Sequence, residues 1–185
     1  MNLDLDRTIL LPIDMQRAFD GPEWPRRWNS SVDKNGLALL QRWREMGRPI
    51  VHVRHDSVEL GSSLAPGTDG NRFRPGFEPL NGEPLVTKSV NSAFIGTDLD
   101  LRLRRLGAEH IVAFGISTDM CVSTTIRTGS NMGWDMVLVD DACDCFDLPD
   151  RDGVVIPAET VQATHVATLG FEFCKVLSTS ELLQL

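Results

Sequence analysis

Short apolar runs alternate with helical patterns along most of the chain. Residues 8–13 form an apolar run that reads as a strand and ends at Asp14. Over 35–46, Leu37, Leu40, Trp43 and Met46 recur at helical spacing, and Gly47 follows as a stop signal. Further strands are predicted at 49–53, 84–87, 111–114, 136–139 and 172–177. Helices are predicted over 98–106, 118–131 and 157–169, the first closed by Gly107 and the last by Gly170. Apolar strands interleaved with helices predict a parallel sheet covered on both faces. The expected fold class is α/β, a three-layer α/β/α sandwich around a mainly parallel sheet of about six strands.

One stretch departs from the alternation. Residues 56–83 carry Gly61, Pro66, Gly67, Gly70, Pro75, Gly76, Pro79 and Gly82 with little periodicity. A loop this long inside a domain tends to be a lid, a binding loop or a subunit contact. Trp24, Trp28 and Phe73 fall in loop regions and are expected to anchor an interface.

Composition narrows the function classes. The length of 185 residues suits a single domain over 1–185. No apolar run reaches the ~18–20 residues of a membrane helix, so no membrane partner is expected. The acidic start shows no basic-then-apolar leader, which points to a cytoplasmic protein. A net charge of −8 argues against nucleic acid as a partner. Arg102, Arg104 and Arg105 read as a solvated helix face. Cys143, Cys145 and Cys174 read as reduced, structural thiols.

Candidate chemistry gathers at strand ends, where open parallel sheets bind ligands. Asp14 closes the first strand, Lys88 the third, and Cys121 follows the fourth. With Thr118 as a helix cap, Cys121 lies in the first helical turn, where free N–H groups favour a thiolate. Asp14 can accept the thiol proton and return it to a leaving amine, with Lys88 orienting the carboxylate. Taken one at a time, Cys121 reads first as an inert buried cysteine at a helix start, Asp14 as a helix cap or an ion pair with Lys88, and Lys88 as a solvated surface charge.

The segments 13–16, 88–94, 115–127 and 140–143, with the late helix and Glu172, resemble the isochorismatase-like cysteine hydrolases. The resemblance runs in order through nearly the whole chain, and its Gly115 to Val122 segment is the most specific part. It implies a catalytic triad of Asp14, Lys88 and Cys121. It also implies a cis peptide at Ile116–Ser117, with the N–H groups of Ser117 and Cys121 as an oxyanion hole. Phe19, Asn91, Phe94 and Ile116 are then expected to line a substrate pocket.

The implied activity is hydrolysis of a C–N bond in a small amide, ureide or carbamoyl compound through a thioester. No cofactor is implied, and members commonly assemble as homo-oligomers, dimers or larger. Nicotinamidases of the family hold a metal through an Asp-x-His pair after the second strand. Here that region reads His52-Val53-Arg54-His55-Asp56, so no metal is expected, with His52 an inward strand residue and His55 a turn or interface residue. The readings left open are a metal-dependent nicotinamidase-type amidase and a non-catalytic binding protein on the same fold.

Overall fold

The computed structural model describes residues 3–185. Its elements are β1 (Thr8–Ile13), α1 (Val32–Glu45), β2 (His52–His55), β3 (Leu85–Lys88), α2 (Leu99–Arg105), β4 (His110–Gly115), α3 (Ser123–Asn131), β5 (Asp135–Val139), β6 (Leu148–Pro149), β7 (Val155–Ile156), α4 (Ala158–Glu172), β8 (Lys175–Leu177) and α5 (Thr179–Leu183). Six strands form one parallel sheet in the order β3-β2-β1-β4-β5-β8, and β6 and β7 make a separate small hairpin. β1 sits at the centre and is buried at every position, which is why its sequence is apolar without alternation.

Helices cover both faces. α1 packs beside α5, and α3 packs beside α4. α1 turns Val32, Leu39, Leu40 and Trp43 inward at helical spacing, against a sheet face that includes Phe114. Each such side chain contributes roughly 1.5–3 kcal/mol on full burial.

The strand order reverses between β1 and β4, so their carboxyl ends flank a crevice. Gly115 closes β4 there with φ +143°. A Cβ on it would lie 2.0 Å from the Ile13 carbonyl oxygen, so only glycine lets the two strand ends approach this closely.

Several expected boundaries move. The late helix runs through Gly170 to Glu172, and β8 starts only at Lys175. Gly170 is not a stop signal here: a Cβ on it would meet Val176 Cγ2 at 3.0 Å, so its small size serves the packing of α4 on β8. The second strand lies at 52–55, because only an isolated Leu10–Ile50 bridge precedes the continuous pairing with β3. α1 begins at Val32, which is itself core.

The loop aromatics are not exposed anchors. Phe73 is buried edge-on to His52, and Trp24 packs between Phe19 and Phe146 at 4.8 Å from each ring centroid. Half-buried Trp28 packs on a small cluster with Cys145, Ala158 and Val161.

The arginine face of α2 is solvated as expected. Arg102 and Arg104 pair with Asp98 and Asp100 one turn earlier. All four cysteines are free. Among the described residues no helix is long and apolar enough to cross a membrane.

Candidate active site

The three strand-end residues meet. Lys88 Nζ donates to Asp14 Oδ2 at 2.5 Å and to Cys121 Sγ at 3.3 Å, and the Lys88 and Asp14 side chains are wholly buried. Asp14 leaves β1 with φ +52°, a conformation that aspartate tolerates better than most residues. The turn is tied down by the Asp14 N–H bond to the Val53 carbonyl and the Gln16 N–H bond to that of Asp14. Asp14 Oδ1 is buried without a hydrogen-bond partner among the described residues.

The remaining ammonium proton of Lys88 goes to His55, expected from the sequence to be a turn or interface residue. His55 Nδ1 lies 3.1 Å from Nζ. An ammonium only donates, so Nδ1 must accept, and the neutral ring carries its proton on Nε2. Burial and the neighbouring Lys88 charge hold the His55 pKa below its ordinary value, against the opposite pull of Asp14, Asp56 and Glu59. The turn or interface reading of His55 is thereby corrected: it closes the hydrogen-bond complement of Lys88. Its partner lies 33 residues away, so no local spacing could have marked it.

The turn bearing Cys121 differs from the expected helix start. Ser117 is the cap position of a single π-helical turn, Thr118–Val122, that leads into α3. Thr118 caps nothing; its N–H and hydroxyl both donate to the Asp144 carbonyl. Asp144 in turn is buried and held by Arg27 and the Asn29 N–H, which anchors this turn to the 143–146 segment. The Ile116–Ser117 peptide is cis. The Ser117 N–H finds no acceptor among the described residues, and Ser117 and Cys121 both face the cavity.

Electrostatics at the sulfur run against a resting thiolate. Burial first, and then the Asp14 carboxylate, push the Cys121 thiol well above the ordinary cysteine range; Lys88 offsets only part of this. The thiol donates to Asn91 Oδ1 at 3.7 Å. A proton acceptor as close as Asp14, one oxygen of which lies within 4.8 Å of Sγ, is what deprotonation here would require.

Above these groups opens a cavity of about 470 Å³. Asp14, His55, Asn91, Ser117 and Cys121 line its floor and sides, with Phe19, Trp24, Leu64, Val90 and Met120 as apolar wall. The segment 57–64 supplies Ser57, Val58, Glu59 and Ser62 at the rim, so the long loop is a wall of the site. Asn71 holds it, donating through Nδ2 to the His55 and Leu64 carbonyls and to Asp56 Oδ1. Gln16 donates to the His55 and Asn71 carbonyls from the other side.

Of the expected lining residues, Phe19 and Asn91 face this cavity. Phe94 and Ile116 do not. Phe94 packs toward Gly129 of α3, and Ile116 is fully buried in the core beneath the turn.

Asp14, His55 and Cys121 also form a set of possible metal donors whose atoms lie within 4.8 Å of one another. The Lys88 ammonium stands among them, within 3.3 Å of each. A metal cation would have to displace a buried charge of its own sign, so the residues present do not fit one.

A parallel sheet with a lysine, an aspartate and a cysteine converging at its switch point defines an α/β protein with a candidate nucleophile site. The isochorismatase domain model matches residues 8–165. A Bacillus subtilis isochorismatase family protein, YrdC, is 34% identical over 178 residues, covering 96% of this chain and 95% of that one. A solved structure of an isochorismatase-family protein from Chromobacterium violaceum superposes with a TM-score of 0.95 at 40% identity, covering 100% of this chain and 95% of that one. The ureidoacrylate amidohydrolase RutB of Yersinia enterocolitica is 32% identical over 129 residues, 70% of this chain and 49% of that protein. The chain therefore belongs to the isochorismatase family of hydrolases.

Proposed function

We propose that the chain hydrolyses a C–N bond in a small amide, ureide or carbamoyl compound, with Cys121 as nucleophile. The observation that carries this reading is the three-way contact of Lys88 with Asp14, Cys121 and His55 on the floor of the cavity. The name of the amidohydrolase relative points to the same bond type.

Asp14 removes the Sγ proton as the carbonyl carbon settles beside the sulfur, so a thiolate forms only with substrate in place. Sγ bonds to the carbonyl carbon, and the Ser117 and Cys121 N–H groups receive the oxyanion. Protonated Asp14 then gives its proton to the nitrogen as the C–N bond breaks. Ammonia or an amine departs and a thioester remains. Asp14 next takes a proton from water, whose oxygen attacks the thioester. The acid leaves, and the proton returns to Sγ. Lys88 keeps its charge throughout and offsets that of whichever partner is anionic.

The test is ammonia release from a panel of primary amides and ureides, by the wild type and by Cys121→Ala. Multiple turnovers lost in the variant are expected. Full turnover by Cys121→Ala would overturn the nucleophile assignment, and no turnover on any compound would favour a binding protein.

A further inference from the structure

The walls of the cavity differ from its floor in charge. The floor exposes one aspartate, Asp14, and Lys88 lies buried behind it, wholly engaged with Asp14, Cys121 and His55. At the rim stands a second carboxylate, Glu59. Its backbone is set by a tight turn in which the Glu59 N–H donates to Ser57 Oγ and its carbonyl accepts from the Ser62 N–H. No arginine or lysine lies within ion-pair distance of Glu59 among the described residues. The nearby arginines are spent elsewhere: Arg54 on Asp56, Arg17 on Asp69, and Arg27 on Asp20 and Asp144. Among the described residues no lysine or arginine side chain lines the cavity itself.

Part of the lining is aromatic and apolar. Phe19 and Trp24 pack on each other and on Phe146, and they line the same cavity as Cys121. An anionic group entering this space would meet Glu59 with nothing to neutralise it, whereas an ammonium would find an unpaired carboxylate. Field effects of the whole chain act in the same sense, since its net charge is −8.

We infer that this site takes an uncharged or cationic amide whose flat apolar part lies on Phe19 and Trp24 and whose basic or N–H-donating end faces Glu59, and that it rejects carboxylate-bearing analogues. The inference rests on the reading of this cavity as the amide site. Glu59 is exposed, so its preference is modest and weakens with salt. Specificity arises from the difference between partners, and a carboxylate-bearing ligand loses more than an ammonium-bearing one gains.

The experiment compares three ligands of one shape by equilibrium binding to full-length Cys121→Ala at low salt. They are benzamide, 4-(aminomethyl)benzamide and 4-carboxybenzamide. The expected order is cationic, then neutral, then anionic, with about fivefold between the two ends or more. Glu59→Lys should invert the order of the charged pair and Glu59→Gln should bring the two close together.

Equal or tighter binding of 4-carboxybenzamide, an order unmoved by Glu59→Lys, or no binding of any of the three would overturn the inference. Ammonia release from benzamide by the wild-type chain is read separately. The expected binding order without turnover would sink the hydrolase reading while leaving the charge selection intact.

Discussion

The floor and the rim of the cavity are built on opposite terms. The floor is a buried ion pair at the ends of β1 and β3, with a thiol in the turn after β4, and each member lies at or just beyond the end of a strand of the one sheet. The rim is the irregular segment 57–64, which has no strand or helix of its own and hangs on the amides of Asn71 and Gln16. Removing one member of the floor strands a charge in the interior. Changing the rim alters what the site admits at little cost to the fold. On the proposed function, chemistry belongs to the floor and selectivity to the rim, and each should respond to its own substitutions.

The largest effect is expected at Cys121, the proposed nucleophile. Cys121→Ala should cut turnover of any accepted amide by at least about 10³-fold, because the remaining groups supply only binding and oxyanion contacts. Steady-state ammonia release measures this.

Breaking the buried pair comes next. Lys88→Met leaves the Asp14 carboxylate uncompensated and should cost about 3–5 kcal/mol by urea unfolding. Adding Asp14→Asn should recover much of that loss, since the stranded charge is gone. Additive losses in the double variant would contradict a mutual ion pair.

At the rim, Asn71→Ala removes the donor to two carbonyls and to Asp56. A loss of about 2–3 kcal/mol is expected. KM should rise more than kcat falls, as the wall loosens and the floor stays. A kcat loss with KM unchanged would place Asn71 in the chemistry instead.

The smallest effect is pH-linked and joins the two regions. Burial holds the pKa of both His52 and His55 below the ordinary histidine value, so each stays neutral in the fold where the unfolded chain would protonate it. Below about pH 6.5 the unfolded state therefore binds more protons, and stability falls as pH falls through the window down to the lowered folded values. Unfolding free energies at about pH 7.5 and 5.5 should differ in this sense, and a His55→Gln variant should lose part of the difference.

Much of the floor was legible in the chain. Asp14 ends a long apolar run and Lys88 a short one, and the segment from Gly115 to Val122 carries a specific resemblance. The rim was legible only as a long irregular loop, and which of its residues face the site was not, for a physical reason. His55 and Asn71 are placed by hydrogen bonds to residues remote in sequence, which no periodicity encodes, and Glu59 is set by a local turn in the irregular loop. Thr118 misled because a capping residue type was used instead to bind the Asp144 carbonyl. Gly170 misled because a small residue can mean close packing as well as a helix end. Phe94 and Ile116 misled because neighbours of site residues can turn to the core.

The central claim is that Cys121 carries the acyl group. The most direct measurement is acid-quenched peptide mass spectrometry of the wild-type chain during turnover of an accepted amide. The account predicts an acyl mass on the peptide containing Cys121, appearing before steady state and absent from Cys121→Ala. Steady hydrolysis with no adduct on that peptide, or an adduct on another residue, would contradict it.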